Sequence, residues 1–120
     1  MTKILIVEDE TMLRQVYATL FNFEKYTVAE ATNGKDAISQ LKKFKPDVVI
    51  LDILMPVMSG IEFLEKTKIK LNYPDVKVLV LSNLSDPKTL QKIVSLGATK
   101  YLLKASLSPT QLVAAVKQLV

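Results

Sequence analysis

The sequence predicts a doubly wound α/β domain, with parallel strands held between two layers of helices. Three observations predict it. The run Val48-Val49-Ile50-Leu51 has no polar alternation and reads as a strand buried on both faces. Short runs of this kind alternate with amphipathic helical stretches along the whole chain. The 120 residues, 49% of them hydrophobic, can bury one sizeable core but leave little room for a second, so residues 1–120 are read as one domain.

Each element has its own signal. Ile4 to Val7 is the first strand, and Leu13, Val16, Tyr17 and Leu20 follow at the spacing of one helix face. Thr27 to Ala31 mixes polar and apolar positions as an edge strand does. After Asn33-Gly34, Ala37, Ile38, Leu41 and Phe44 mark a second helix that Pro46 closes. The third strand ends on Asp52, a loop runs through Pro56 to Gly60, and a third helix is expected to turn Ile61, Leu64 and Leu71 inward. Tyr73-Pro74-Asp75 reverses the chain into a strand over Val76 to Leu81.

A polar loop from Ser82 to Asp86 precedes a fourth helix, with Asp86 as N-cap, Pro87 in first position, and Leu90, Ile93 and Val94 inward. Gly97 suits a left-handed helix stop, and Tyr101-Leu102-Leu103 is a short last strand. Ser108-Pro109-Thr110-Gln111 combines a capping box with first-turn proline and opens a helix carrying Leu112, Val113, Val116 and Leu119. The second and fifth strands look least buried, which suits the outer places of the order 2-1-3-4-5. Ligands in such sheets bind where the chain changes direction, between strands one and three at their carboxyl ends, and the residues there are Glu8, Asp9 and Asp52.

Composition narrows the chemistry. The chain has no cysteine and no histidine, which excludes disulfides, thiolate metal sites and the commonest zinc ligand and general base. Its net charge of +4 comes from lysines scattered among acids, not from a basic block, so nucleic-acid binding is not expected. The apolar start is stopped at once by Glu8 and Asp9, too short for a signal peptide or a membrane span. A cytoplasmic protein without membrane contact is expected.

Two readings compete for the acids. Asp52 could simply begin a turn, and Glu8-Asp9-Glu10 could place negative charge at a helix start, where the macrodipole favours it. Against this, ionised carboxylates about 4 Å apart repel by roughly 4 kcal/mol per pair at an effective dielectric near 20. A divalent cation with a taste for oxygen ligands, Mg²⁺ or alternatively Mn²⁺, would hold them together. The other strand ends deliver Ser82 and Lys104 to the same rim, and a hydroxyl with an ammonium suits an oxygen-rich anion.

From Lys3 to Leu119 the sequence resembles the receiver domain of two-component response regulators. The matching pieces are Ile4-Leu5-Ile6-Val7-Glu8-Asp9, the loop Asp52-Ile53-Leu54-Met55-Pro56-Val57-Met58-Ser59-Gly60, Ser82 at the end of strand four, and Tyr101 three residues before Lys104. The resemblance implies a flavodoxin-like (CheY-like) five-stranded sheet with five helices. It implies that Asp52 accepts a phosphoryl group from a sensor histidine kinase, a phosphotransfer protein or a small phosphodonor. Asp9, Asp52 and the Leu54 carbonyl would hold Mg²⁺, with Glu8 acting through water, and Ser82 and Lys104 would grip the phosphoryl oxygens. Ser82 and Tyr101 would then shift the face of the fourth helix, fifth strand and fifth helix toward a downstream effector protein or a fused output domain. Such a domain is a signalling switch, with no enzymatic activity beyond its own phosphorylation and dephosphorylation.

Several positions depart from the family pattern. Ala105 stands where proline usually follows the lysine, so a trans peptide is expected there. Asn83 replaces a small residue and narrows access to the site. Leu54 and Leu84 are apolar and cannot orient an attacking water, which implies slow self-dephosphorylation. Lys88, Lys92, Lys100 and Lys117 make the expected output face basic and point to an acidic partner surface. Two rival readings are a degenerate receiver that binds without being phosphorylated and a haloacid-dehalogenase-like phosphatase. The phosphatase needs a second aspartate where Leu54 stands.

Overall fold

The computed structural model describes residues 1–84 and 86–120. Five strands, β1 (Lys3–Val7), β2 (Thr27–Ala31), β3 (Val48–Asp52), β4 (Lys77–Ser82) and β5 (Lys100–Leu103), form one sheet in the order β2-β1-β3-β4-β5. All four pairings are parallel, and β2 and β5 are the edges, the places expected for the two strands that look least buried. Around the sheet run α1 (Thr11–Phe23), α2 (Gly34–Phe44), α3 (Gly60–Thr67), α4 (Ile69–Asn72), α5 (Pro87–Ser95) and α6 (Pro109–Leu119), with a 3-10 turn at Lys104–Ser106. In the loop expected over Ser82 to Asp86, Ser82 closes β4 and Ser85 lies outside the described residues.

Among the described residues six helices stand where five were expected, because the third is broken. Lys68 adopts a left-handed conformation, φ 45°, and separates α3 from α4. The break shifts the helical phase, so Leu71, expected inside, is 75% exposed while Ile69 takes the buried place. Two further inward assignments fail through smaller rotations. On α1 the buried residues are Tyr17, Ala18 and Phe21, which turns Val16 outward at 53% exposure. On α5 Ile93 is fully buried and Val94 is exposed.

The sheet divides the interior. On one side Phe63, Leu64, Ile69, Leu41, Ala37 and Ile93 pack on Leu5, Val7, Val49, Leu51, Val78 and Val80. On the other, Tyr17, Ala18, Phe21, Leu112, Ala115 and Val116 pack on Ile4, Ile6, Val48, Ile50, Leu79 and Leu81. Alternate residues of β3 therefore serve opposite faces, and all five are buried. Burying each large aliphatic side chain contributes about 1.5–3 kcal/mol.

Helix starts follow the local signals. Asn33 accepts from the Asp36 amide, Asp86 from Thr89, and Ser108 with Gln111 closes the expected capping box. Ser59 and Glu62 form another, which the Ser-x-x-Glu spacing also encodes. Gly97 has φ +119°, as its helix-stop position requires. Lys25, Lys45 and Lys68 occupy left-handed positions at helix ends where glycine would be unstrained. Among the described residues, no helix is long and apolar enough to cross a membrane.

Candidate functional site

Parallel β1 and β3 are neighbours, so the residues that end them emerge side by side at the carboxyl edge. Glu8 directly follows β1, with its amide donating to the Ala31 carbonyl at 3.1 Å. Arg14 Nη1 donates to the Glu8 carbonyl at 2.9 Å, and Arg14 Nε pairs with Glu30 at 3.2 Å. Arg14 thus braces the turn into α1, a role whose only sequence signal is a cation one turn beyond the acids. Asp52 is the last residue of β3. Behind it the loop folds back so closely that a Cβ on Gly60 would lie 2.4 Å from the Asp52 carbonyl oxygen, which explains glycine there.

Carboxylate oxygens of Glu8, Asp9 and Asp52 lie within 4.8 Å of one another, the convergence expected from the sequence. Glu8 is 2% exposed, Asp52 7%, and Asp9 faces solvent. Lys104, at the start of the turn after β5, reaches across with Nζ 2.6 Å from Glu8 Oε1 and 3.4 Å from Asp52 Oδ2. The peptide from Lys104 to Ala105 is trans, and the ammonium reaches the acids regardless.

Burial pushes the Glu8 and Asp52 carboxyls up from their ordinary values. For Glu8 the Lys104 hydrogen bond opposes this, and for Asp52 the Lys104 charge does so, with the nearby Asp9 charge adding to the rise. Burial alone would lower Lys104, but its hydrogen bond to Glu8 and the two carboxylate charges outweigh it and raise it. The pocket thus holds an excess of negative charge with one internal counter-ion. Three carboxylates with no imidazole or thiolate form a donor set that fits a hard divalent cation.

Ser82 is buried at the tip of β4, its Oγ accepting from the Leu84 amide at 3.1 Å. The Tyr101 hydroxyl donates toward the carbonyls of Ser82, at 3.1 Å, and of Leu84. Tyr101 and the Ser82 loop are therefore physically joined. Leu54 is exposed beside the pocket and Leu84 is half-buried. A groove of about 440 Å³ beside Leu41, Tyr73 and Val76 lies at the opposite, amino-terminal edge and holds none of these residues.

The lysines of the expected output face stand on α5 (Lys88, Lys92), β5 (Lys100) and α6 (Lys117). Lys92 pairs with Glu65 at 3.9 Å, Lys117 with Glu24 at 3.1 Å, Lys100 donates to Gln118 at 2.9 Å, and Lys88 is exposed. Two of the four are thus neutralised within the chain.

Fold and pocket define a class: a doubly wound α/β domain whose switch point holds a carboxylate cluster closed by a lysine. The chain belongs to the response regulator receiver domain family of two-component systems, whose model matches residues 4–117. It is 38% identical over 107 residues to the transcriptional regulatory protein LnrK of Bacillus subtilis, covering 87% of this chain and 47% of that protein. The chain spans about half the length of the curated relatives it matches. Among solved structures, chemotaxis protein CheY4 of Vibrio cholerae superimposes with TM-score 0.91 at 30% identity, covering 100% of this chain and 99% of the other. Response regulator protein TrrA of Thermotoga maritima, in complex with Mg²⁺ and BeF, superimposes with TM-score 0.86 at 31% identity over 100% of both chains.

Proposed function

We propose that this receiver domain, residues 1–120, is a phosphorylation-dependent switch in which Asp52 accepts a phosphoryl group from a histidine kinase, a phosphotransfer protein or a small phosphodonor. One observation carries the reading: Glu8, Asp9 and Asp52 converge within 4.8 Å while Lys104 closes the same pocket. An Asp52 carboxylate oxygen attacks phosphorus, the bond from phosphorus to the donor nitrogen or oxygen breaks, and the leaving group departs with the electron pair. Asp9, Asp52 and the Leu54 carbonyl would hold Mg²⁺, with Glu8 acting through water. Bound there, the ion would keep Asp52 ionised and offset the charge that spreads over the transferring group.

Lys104 and Ser82 then take the phosphoryl oxygens. For Ser82 this means turning its hydroxyl from the Leu84 amide, which frees the loop that the Tyr101 hydroxyl holds. Movement of loop and ring together biases the face of α5, β5 and α6 toward an effector protein or output domain. The apolar Leu54 and Leu84 give hydrolysis no water-orienting group, so the phosphoryl group is long-lived. The setting is the cytoplasm. Mass spectrometry after acetyl phosphate with Mg²⁺ tests the reading: wild type gains one phosphoryl group and Asp52→Ala gains none. An unmodified wild type, or equal modification of both, overturns it.

A further inference from the structure

Two departures from the receiver pattern meet in space. Alanine at position 105 keeps a backbone N–H that proline would lack, and Asn83, one residue past β4, places its Oδ1 2.7 Å from that nitrogen. Ala105 lies in the short turn Lys104–Ser106, whose N-cap Leu103 offers no capping side chain. The first amides of a helical turn lack partners within it, and Asn83 supplies the acceptor from a neighbouring element. The last ladder pair of β4 and β5 is Ser82 with Leu103, so this bond ties the two loops just beyond the end of the sheet. One loop carries the Ser82 hydroxyl and the other the Lys104 ammonium.

We propose that Asn83 is a positioning residue: through the Ala105 amide it holds the Lys104 backbone against the Ser82 loop, presetting ammonium and hydroxyl for an incoming phosphoryl group. The proposal rests on the phosphoacceptor reading of Asp52. The turn itself is closed only weakly, by the Leu107 amide on the Lys104 carbonyl at 3.4 Å, and it follows an edge strand. Without Asn83, the turn that carries Lys104 would keep only that bond and the Ser106 hydroxyl's bond to the Leu103 carbonyl at 3.4 Å among its described closing hydrogen bonds. The residues that would hold the metal, Asp9, Asp52 and Leu54, stand just after β1 and at or just after the end of β3, elements the Asn83 bond does not touch.

That separation supplies the test. Asn83→Leu keeps the bulk and removes the acceptor, and Asn83→Ala removes both. Nuclear magnetic resonance titrations follow Mg²⁺ alone and then beryllofluoride with Mg²⁺, and amide hydrogen exchange is read at Ala105 in the free protein. Both variants are expected to lose Ala105 protection and to need about three- to tenfold more beryllofluoride for half-saturation, the worth of one hydrogen bond. Their Mg²⁺ affinity is expected to be unchanged or tighter, because a displaced ammonium leaves Glu8 and Asp52 to the cation. Wild-type beryllofluoride binding in Asn83→Leu, with tighter or unchanged binding in Asn83→Ala, would show that Asn83 merely fills space and would overturn the proposal alone. A wild-type protein that takes Mg²⁺ but no beryllofluoride would overturn the phosphoacceptor reading and the proposal with it.

Discussion

Replacing Lys104 with methionine preserves length and apolar stem while deleting the internal counter-ion of the pocket. In the metal-free protein Glu8 and Asp52 then face each other with oxygens within 4.8 Å and no cation between them. At that separation and an effective dielectric near 20, the repulsion is about 3.5 kcal/mol. Protonation sets a ceiling on the loss, because a carboxyl with an ordinary value near 4.3 can be neutralised at pH 7 for about 3.7 kcal/mol. The two figures agree, so the expected loss is about 3–4 kcal/mol at pH 7, or roughly 10–20 °C in Tm for a domain of this size. At pH 5 the same ceiling drops to about 1 kcal/mol, and most of the loss should return. Added Mg²⁺ should also narrow the gap, since a dication replaces the missing charge. Urea unfolding at both pH values, with and without metal, measures all three effects. A loss below about 1 kcal/mol at pH 7, or one unchanged at pH 5, would refute the electrostatic account of the pocket.

The wild-type pH dependence has a definite sign. Glu8 and Asp52 have folded values raised above their unfolded ones, so their contribution favours the folded state below about pH 4 and is lost as pH rises through the raised values. Without metal, Asp52→Asn should therefore be more stable than wild type at pH 7, with the difference shrinking toward pH 4, and a constant difference in urea midpoint would contradict this. Gly60→Ala forces a methyl group to 2.4 Å from the Asp52 carbonyl oxygen. The expected cost is about 1–3 kcal/mol together with weaker Mg²⁺ binding, measured by unfolding and by metal titration, and full retention of both would count against the tight loop. Lys45→Gly relieves a left-handed lysine at φ 53° and should raise stability by up to about 1 kcal/mol, whereas thermal unfolding showing a loss of that size would mean its exposed side chain makes a contact of its own.

What the sequence revealed depended on how local the cause was. Strand identity and helix caps were legible because β3 is apolar without alternation, and Ser108, Asp86 and Gly97 act within a few residues of themselves. Helix phase was less legible. On α1 the inner face is centred about one residue from the assumed one, and in the third helix nothing local distinguishes Lys68 as a left-handed break from Lys66 or Lys70 as ordinary helical lysines. The meeting of Glu8, Asp9, Asp52 and Lys104 followed from strand order, which parallel topology dictates. The bond from Ala105 to Asn83 did not, because it depends on how two loops bend after leaving the sheet. Arg14 was hidden for a similar reason: its value lies in reaching the Glu8 carbonyl, a group no residue pattern displays.

Among the described residues the two packed faces share no buried side chain, and the sheet lies between them. Cavities opened at Phe21 and at Phe63 should accordingly cost independent sums, while paired truncations on one face interfere with each other. A defect on either side can reach the acids through β1 and β3, which lead to Glu8 and Asp52, and a defect on the α1 side also through Arg14, whose guanidinium grips the Glu8 carbonyl, so the pocket inherits the stiffness of its strands and of that one helix.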